Sequence, residues 1–280
     1  MADFIDSLNG IIWSNWLVYL CLGAGAYFTL VTLFLQIRCL PDMIQQLKAG
    51  ESSEQGISSF QSLMISLAGR VGVGNIAGVA TAIAFGGPGA VFWMWLVALL
   101  GSATSFVECC LAQIYKEPDR DTGEYRGGPA FYIEKAYKHT SARPFMLVYA
   151  VIFAICMLLA TSYFLPGIQA NGVAAAVDNA WGVNVWISAA VMAVLLGFII
   201  IGGVKRIANF ASMVVPFMAG IYIIVAIIVL FANASDIPHV FGMIFRAAFD
   251  KEAAFSGMLG AAIMWGVKRG IYSNEAGQGT

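Results

Sequence analysis

The sequence predicts an all-α polytopic membrane protein built on an inverted repeat. Three observations predict it. First, 60% of the 280 residues are hydrophobic and 11% charged, where a soluble chain carries about 25% charged residues. The apolar residues come in blocks of about 20, the length that spans a bilayer. Second, one block contains "SLAGRVGVGNIAGVATAI", Ser66 to Ile83, with four glycines in ten residues, an arginine and an asparagine. Glycine weakens a helix interior and a charge in hydrocarbon is costly. Third, the pattern R-x(4)-N-x-A-G at Arg70 recurs at Arg269.

Seven membrane segments follow in order. Segment A covers 14–37. B runs from Gln61 to Phe85 and C from Gly89 to Tyr115. D starts near Phe145 and continues past "LPG" to about Val177, with a kink expected at Pro166. E is Val185 to Gly203 and F is Ala208 to Phe231. G starts near Ala253 and runs to the end of the sequence. The longest polar stretch follows C, and in it "PAFYIEKAY" reads as a short helix along the membrane surface.

Positive charges set the orientation. With the N-terminus outside, the inner loops hold Arg38, Lys48, Lys116, Arg120, Arg126, Lys135, Lys138, Arg143, Lys205 and Arg206, and the outer loops hold Arg246 and Lys251. Ten against two is a strong bias for short loops. The remaining three, Arg70, Lys268 and Arg269, lie inside B and G.

B is the second segment and G the seventh, so they cross the membrane in opposite directions. Aligning Arg70 with Arg269 puts Asn75 on Asn274, Ala77 on Ala276 and Gly78 on Gly277. Glycine-interrupted segments in corresponding halves point to a transporter's binding site. Unwound backbone at mid-depth is tolerated where it faces protein or water. Carbonyls at the end of one half-helix suit a small cation, and free N–H groups at the start of the next suit a carboxylate. Asn75 and Asn274 are expected to cap the second half-helices. Close packing is the competing reading of the glycines in B alone; the match in G favours the break.

"GGPGAVFWMWLVALLG", Gly86 to Gly101, resembles the signature of the alanine/glycine:cation symporter family, the sodium:alanine symporters. "GRVGVGNIAGVATAI", "GEYRGGPAFYIE" and "KRGIYSNEAGQG" are similar to that family too, and the resemblance covers essentially the whole chain. It implies a fold like the five-plus-five inverted-repeat transporters of the LeuT type with one extra helix in front. Residues 1–280 are then a single, incomplete transporter domain. The extra helix is 14–37, the first repeat of five helices is 61–232, and 253–280 begins the second repeat. B and G become the first and sixth core helices. The expectation is a chain truncated after the broken first helix of the second repeat, without the later helix that holds a second cation site.

The candidate substrate site comprises backbone groups of Gly72, Val73 and Gly74, the side chain of Asn75, and in G the mirror positions Gly270, Ser273 and Asn274. The resemblance adds a substrate-contacting glutamine in D, which is Gln169; a glutamine near the outer interface is the plain alternative. Sodium is the expected coupling ion, at Gly72, Asn75 and Asn274, with a proton possible. Arg70, Glu108, Lys268, Arg269 and Glu275 are intramembrane charges, either gating elements or structural ion pairs. Tyr163 and Trp265 either cover the pocket or pack.

The resemblance implies secondary active symport of alanine or glycine with a cation, in a cell membrane, by alternating access. A non-transporting amino-acid-binding membrane protein, or an inactive half-transporter, is the alternative. An enzyme is not expected, since no nucleophile–base pair, metal cluster or phosphate loop is legible, and no organic cofactor is implied. "GVGNIAG" has the spacing G-x-G-x(3)-G with no βαβ unit around it, so it is no dinucleotide site. The net charge of −1 is uninformative, and no basic stripe suits nucleic acid, which is not an expected partner. The partners are the amino acid, the ion and the bilayer. The five cysteines read as small hydrophobic residues, and an N-terminus with two aspartates and no early Lys or Arg is no signal peptide. Oligomeric state is not legible.

Overall fold

The computed structural model describes residues 7, 9–49, 56–121, 123–249 and 258–279. Among them the chain is almost all helix. Helix α1 is Asn15–Val31, followed by α2 (Leu35–Arg38) and α3 (Leu40–Ala49). Segment B forms two helices, α4 (Ser59–Arg70) and α5 (Val73–Gly86), and C forms α6 (Gly89–Tyr115). A two-residue antiparallel pair, β1 (Glu117–Pro118) with β2 (Tyr125–Arg126), leads to α7 (Pro129–Ala136). Segment D is α8 (Arg143–Leu159), a π turn (Ala160–Phe164) and α9 (Leu165–Trp181). Then come α10 (Val185–Ile200), α11 (Gly203–Ala232), α12 (Ile237–Phe249) and α13 (Met258–Asn274).

Among the described residues, four helical stretches are long and apolar enough to cross a membrane: Asn9–Val31, Gly89–Tyr115, Arg143–Trp181 and Gly203–Ala232. The bent pair α4–α5 is a fifth if counted as one span. Segment E is a shorter apolar helix of 16 residues. The start of segment G near Ala253, and Lys251 among the loop charges, lie outside the described residues.

Burial follows the logic of lipid rather than water. Among the described residues, ten of the seventeen buried hydrophobic residues are alanine, while Trp186, Phe231 and Ile201 are at least 79% exposed. Lipid gives large apolar side chains no reason to turn inward, so helices meet through small residues. This is the build of a multi-pass membrane protein.

The described chain falls into two compact units. The first is formed by Met1–Pro41, Ala77–Val107 and Val225–Gly277. Its core joins Val18 of α1, Val97 of α6 and Val267 of α13, with Leu22, Ile263 and Ile271 around them. α13 lies on α6 through two glycines four residues apart. A Cβ on Gly266 would stand 2.5 Å from Ala90 O, and one on Gly270 2.8 Å from Val97 Cβ. The second unit is formed by Asp42–Ile76, Glu108–Ile224 and Gln278–Thr280. Met64 of α4 packs there on Ala211 and Val215 of α11.

Several expectations are corrected. Segment A does not run unbroken to residue 37. Its helix ends at Val31, and Leu33 and Phe34 adopt left-handed backbone (φ 56° and 54°) before α2. The N–H of Phe34 bonds back to Thr29 O at 2.9 Å, closing the helix end. The helix of segment E stops at Ile200, before Gly203. Helices α3 and α12 stand where loops were expected. The helix read from "PAFYIEKAY" is α7, and Pro129 opens it. At Pro166 the chain inserts a π turn just upstream rather than breaking. Proline lacks an N–H and crowds the carbonyl four residues back, and a widened turn relieves both.

Candidate functional site at the broken helix

Helix α4 begins with a capping box. Ser58 Oγ accepts from Gln61 N at 3.2 Å, and Gln61 Oε1 accepts from Ser58 N at 2.9 Å. The helix stops at Arg70 because the glycines around it offer little to continue it. Val71 and Gly72 carry the chain through the break, and α5 starts at Val73, the two helices meeting at 40°.

A break exposes carbonyls on one side and N–H groups on the other. Two side-chain amides answer them. Asn75 Nδ2 donates to Arg70 O at 2.8 Å and reaches Gly69 O at 3.4 Å. Gln169 Oε1, from α9, accepts from the backbone N–H of Gly74 at 3.3 Å. Gly72 is hemmed in by the same glutamine, since a Cβ there would stand 3.1 Å from Gln169 Nε2. The structure therefore brings Gly72, Val73, Gly74, Asn75 and Gln169 together in one unit.

The capping expectation for Asn75 is corrected. Gly72 O already accepts from Asn75 N and Ile76 N, so the second half-helix starts ahead of Asn75. Asn75 lies in its first turn and its amide reaches back to the end of the first half-helix. The geometric reason is that a side chain in the first turn points towards the helix N-terminus, where the orphan carbonyls of α4 are.

Segment G differs from segment B. α13 runs unbroken through Gly270 and Ser273 and ends at Asn274. Glu275 then takes φ 59° and Gly277 φ 88°. So α13 ends at Asn274, whereas the aligned Asn75 in B lies inside α5. Asn274 is not an N-cap; its Nδ2 donates to Ala98 O at 3.2 Å and lies against Gly101. Gly270 is a buried packing glycine inside a helix, with its N–H and C=O committed to helical bonds. The glycine pair Gly266–Gly270 serves close approach to α6, which preserves the helix rather than breaking it.

The charged candidates have local partners. Arg70 Nη1 donates to Ser66 O at 2.8 Å and also contacts Ser66 Oγ. Glu108 Oε1 accepts from Gly279 N at 2.6 Å, so this carboxylate holds the stretch that follows the end of α13. The guanidinium of Arg269 rests on Gly78, where a Cβ would stand 3.1 Å from Nη1. Lys268 Nζ lies 5.6 Å from the Trp13 ring centre, and Arg269 Cζ 5.9 Å from that of Tyr272. Trp265 stacks on Phe85 at 5.1 Å, and Tyr163 is 73% exposed.

Sequence reading missed an ion-pair cluster beside the short strands. Arg126 bridges Glu117 (3.1 Å) and Asp119 (3.2 Å), and Lys135 bridges Glu117 at 2.8 Å. The hydrogen bond from Lys135, aided by Arg126, holds the Glu117 carboxyl below its ordinary range. Burial, then the nearby charge of Glu108, pushes the Tyr132 phenol up to about 12. Alternating charge in "KEPDRDTGEYR" is the signal for the cluster.

An apolar helix pair bent at a break, with both open ends answered by amides, beside four helices long enough to span a bilayer among the described residues, defines a class: a multi-pass membrane protein with polar groups on discontinuous backbone. Comparison with known proteins makes this specific. The family model described as "Sodium:alanine symporter family" matches residues 1–280, and the chain belongs to that family. It is 55% identical over its full length to YrbD of Bacillus subtilis, named for sodium/proton-dependent alanine carriage, covering 56% of that protein. It is 45% identical to GlnT of the same organism, named for sodium/glutamine symport, covering 57% of it. It is 41% identical to the sodium/alanine symporter AgcS of Methanococcus maripaludis, covering 61% of it. The chain thus spans well under two thirds of the length of these relatives.

Proposed function

We propose that the protein of which this chain is part takes up a small neutral amino acid, alanine or glycine, with a sodium ion by alternating access across the plasma membrane. The observation that carries the reading is the bond from Gly74 N–H to Gln169 Oε1 at the break. The amide oxygen takes the acceptor position that a substrate carboxylate would take at the positive start of α5. An arriving carboxylate replaces a neutral acceptor with a charged one, and charge-assisted bonds are roughly twice as strong as neutral ones. Gln169 is then free to turn its amide towards the ligand. Asn75 Oδ1 and the carbonyls at the end of α4 form the cation side, where Asn75 must release Arg70 O for an ion to approach. Alanine fits the family name and the first of these relatives, while the name of GlnT points to a larger substrate for that protein. A pocket bounded by large neighbours excludes bulk, and discriminating alanine from glycine rests on one methyl, about 1–3 kcal/mol.

The arrangement we infer is the five-plus-five inverted repeat with segment A added in front, and B and G as first and sixth core helices. The repeated R-x(4)-N-x-A-G supports it. The loop-charge bias of ten to two supports an outside N-terminus. Labelled alanine uptake into proteoliposomes tests the function, for this chain alone and for this chain joined to the remaining part of YrbD. Accumulation that follows an inward sodium gradient supports the reading. Accumulation that follows a proton gradient, or glutamine in place of alanine, would reassign ion or substrate.

A further inference from the structure

Helix α13 presents Trp265, Lys268, Arg269 and Tyr272 at positions i, i+3, i+4 and i+7, which is one face. That face lines a cavity of about 280 Å³, with Asn9 and Trp13 of the N-terminal stretch also lining it. All six residues belong to one compact unit. Lys268 lies ten residues into α13, about 15 Å along it. Among the described residues, the ion pairs involve neither of them. What they face is aromatic: Trp13 for Lys268 and Tyr272 for Arg269. A ring's face is a weak partner for a cation compared with a carboxylate. Two adjacent cations that face rings across a cavity, with no ion pair to either among the described residues, suit an anion.

We propose that this cavity is a second ligand site, binding a small carboxylate between Lys268 and Arg269 with the aromatic rings as its walls. The guanidinium offers a planar fork suited to a carboxylate, and the ammonium a point charge beside it. Gly78 matters here because any side chain at that position would press on Arg269 Nη1. The cavity volume lies below the roughly 300–1,000 Å³ of sites for drug-sized ligands, which suits acetate or the backbone end of a small amino acid. The choice of ligand rests on the transport reading: the carboxylate belongs to the transported amino acid. The site itself does not depend on that reading.

The test uses the chain in sodium-free nanodiscs of zwitterionic lipid, titrated with choline acetate and read by tryptophan fluorescence, since Trp13 and Trp265 line the cavity. The expected result is a saturable change whose midpoint rises at least tenfold in Lys268→Gln and in Arg269→Gln. Lys268→Arg keeps the charge and stays within threefold of wild type, which separates lost binding from lost folding. Trp13→Phe and Trp265→Phe shrink the signal. An unsaturable response, or a Lys268→Gln/Arg269→Gln double variant that titrates like wild type, overturns the proposal. Choline chloride producing the same midpoint makes it a halide site and overturns the carboxylate assignment. A response that follows Gln169→Ala instead of Lys268→Gln belongs to the break in segment B and also overturns it. Alanine shifting the midpoint for acetate supports the amino acid as the source; acetate binding that alanine does not displace overturns that source. Loss of sodium-driven uptake with the acetate titration intact would sink the transport reading alone.

Discussion

Val73 Cγ1 occupies the space that a Cβ on Gly172 would need. Gly172 lies one turn beyond Gln169 on α9, and Val73 opens α5 just after the break. The missing side chain on Gly172 is what lets α9 come close enough for Gln169 to reach Gly74. Valine is β-branched and stiff at χ1, so it cannot swing away cheaply. Gly172→Ala is expected to cost about 1–3 kcal/mol by overpacking and to lower uptake with it. Thermal unfolding and alanine uptake measure both. An unchanged midpoint with unchanged uptake shows that α9 need not approach the break.

Gln169→Ala removes the acceptor for Gly74 N–H. A neutral hydrogen bond contributes about 0.5–1.5 kcal/mol net, so apparent substrate affinity should fall by roughly two- to tenfold if the amide turns to the ligand. Gln169→Glu should be worse than Gln169→Ala, because a fixed negative charge competes with the substrate carboxylate at the same N–H groups. A Glu variant that binds alanine better than the Ala variant removes the carboxylate from this end of the break.

Asn75→Ala frees the carbonyls of Gly69 and Arg70. Uptake should fall strongly while the protein still inserts into the membrane, as judged by yield in the membrane fraction and elution profile. Wild-type-like uptake removes Asn75 from the site. Asn75→Asp keeps an oxygen and loses the donor, so its sodium dependence separates a cation ligand from a helix-end brace.

Gly101→Ala places a methyl 2.5 Å from Asn274 Nδ2. It should dislodge Asn274 from Ala98 O and reduce uptake. Gly197→Ala in α10 meets nothing within 4 Å and should be neutral or stabilising by about 0.5–1 kcal/mol. Equal uptake in the two variants would mean that the position of Asn274 is immaterial.

The phenol of Tyr132 ionises near pH 12 in the fold and near 10 when unfolded. Between these values the unfolded chain binds fewer protons, so stability falls as pH rises from about 10 to about 12. Below pH 10 the contribution is fully present. The difference in ultraviolet titration between wild type and Tyr132→Phe isolates this group. Glu108→Gln should lower the Tyr132 midpoint, and only modestly, because burial is the larger cause. A midpoint at 10 in the wild type contradicts the packing of α7.

How much of this was legible without coordinates follows from the range of each interaction. Block length and composition determined the membrane class, because spanning a bilayer constrains twenty neighbouring residues at once. Glycine density marked the break in B, a local property of backbone, and the family motifs marked the kinship. The helix in "PAFYIEKAY" was legible as a short helix, α7 in the structure. Position within the breaks was not. Asn75 turns back to Arg70 O rather than capping forward, since which open end an amide satisfies depends on the angle between the half-helices. Gly270 looked like the mirror of a break, and packing on Val97 made it a contact between helices instead. That contact is set by α6, some 170 residues earlier in the chain. Gln169 reaches Gly74 only because Gly172 admits Val73, and the aromatic face around Lys268 and Arg269 is joined by Trp13, from the other end of the chain. The sequence alone determined the membrane class, the segment that breaks and the family. Tertiary structure decided which groups meet at the break, because those meetings depend on side chains far apart in sequence and on the close approach that small residues permit.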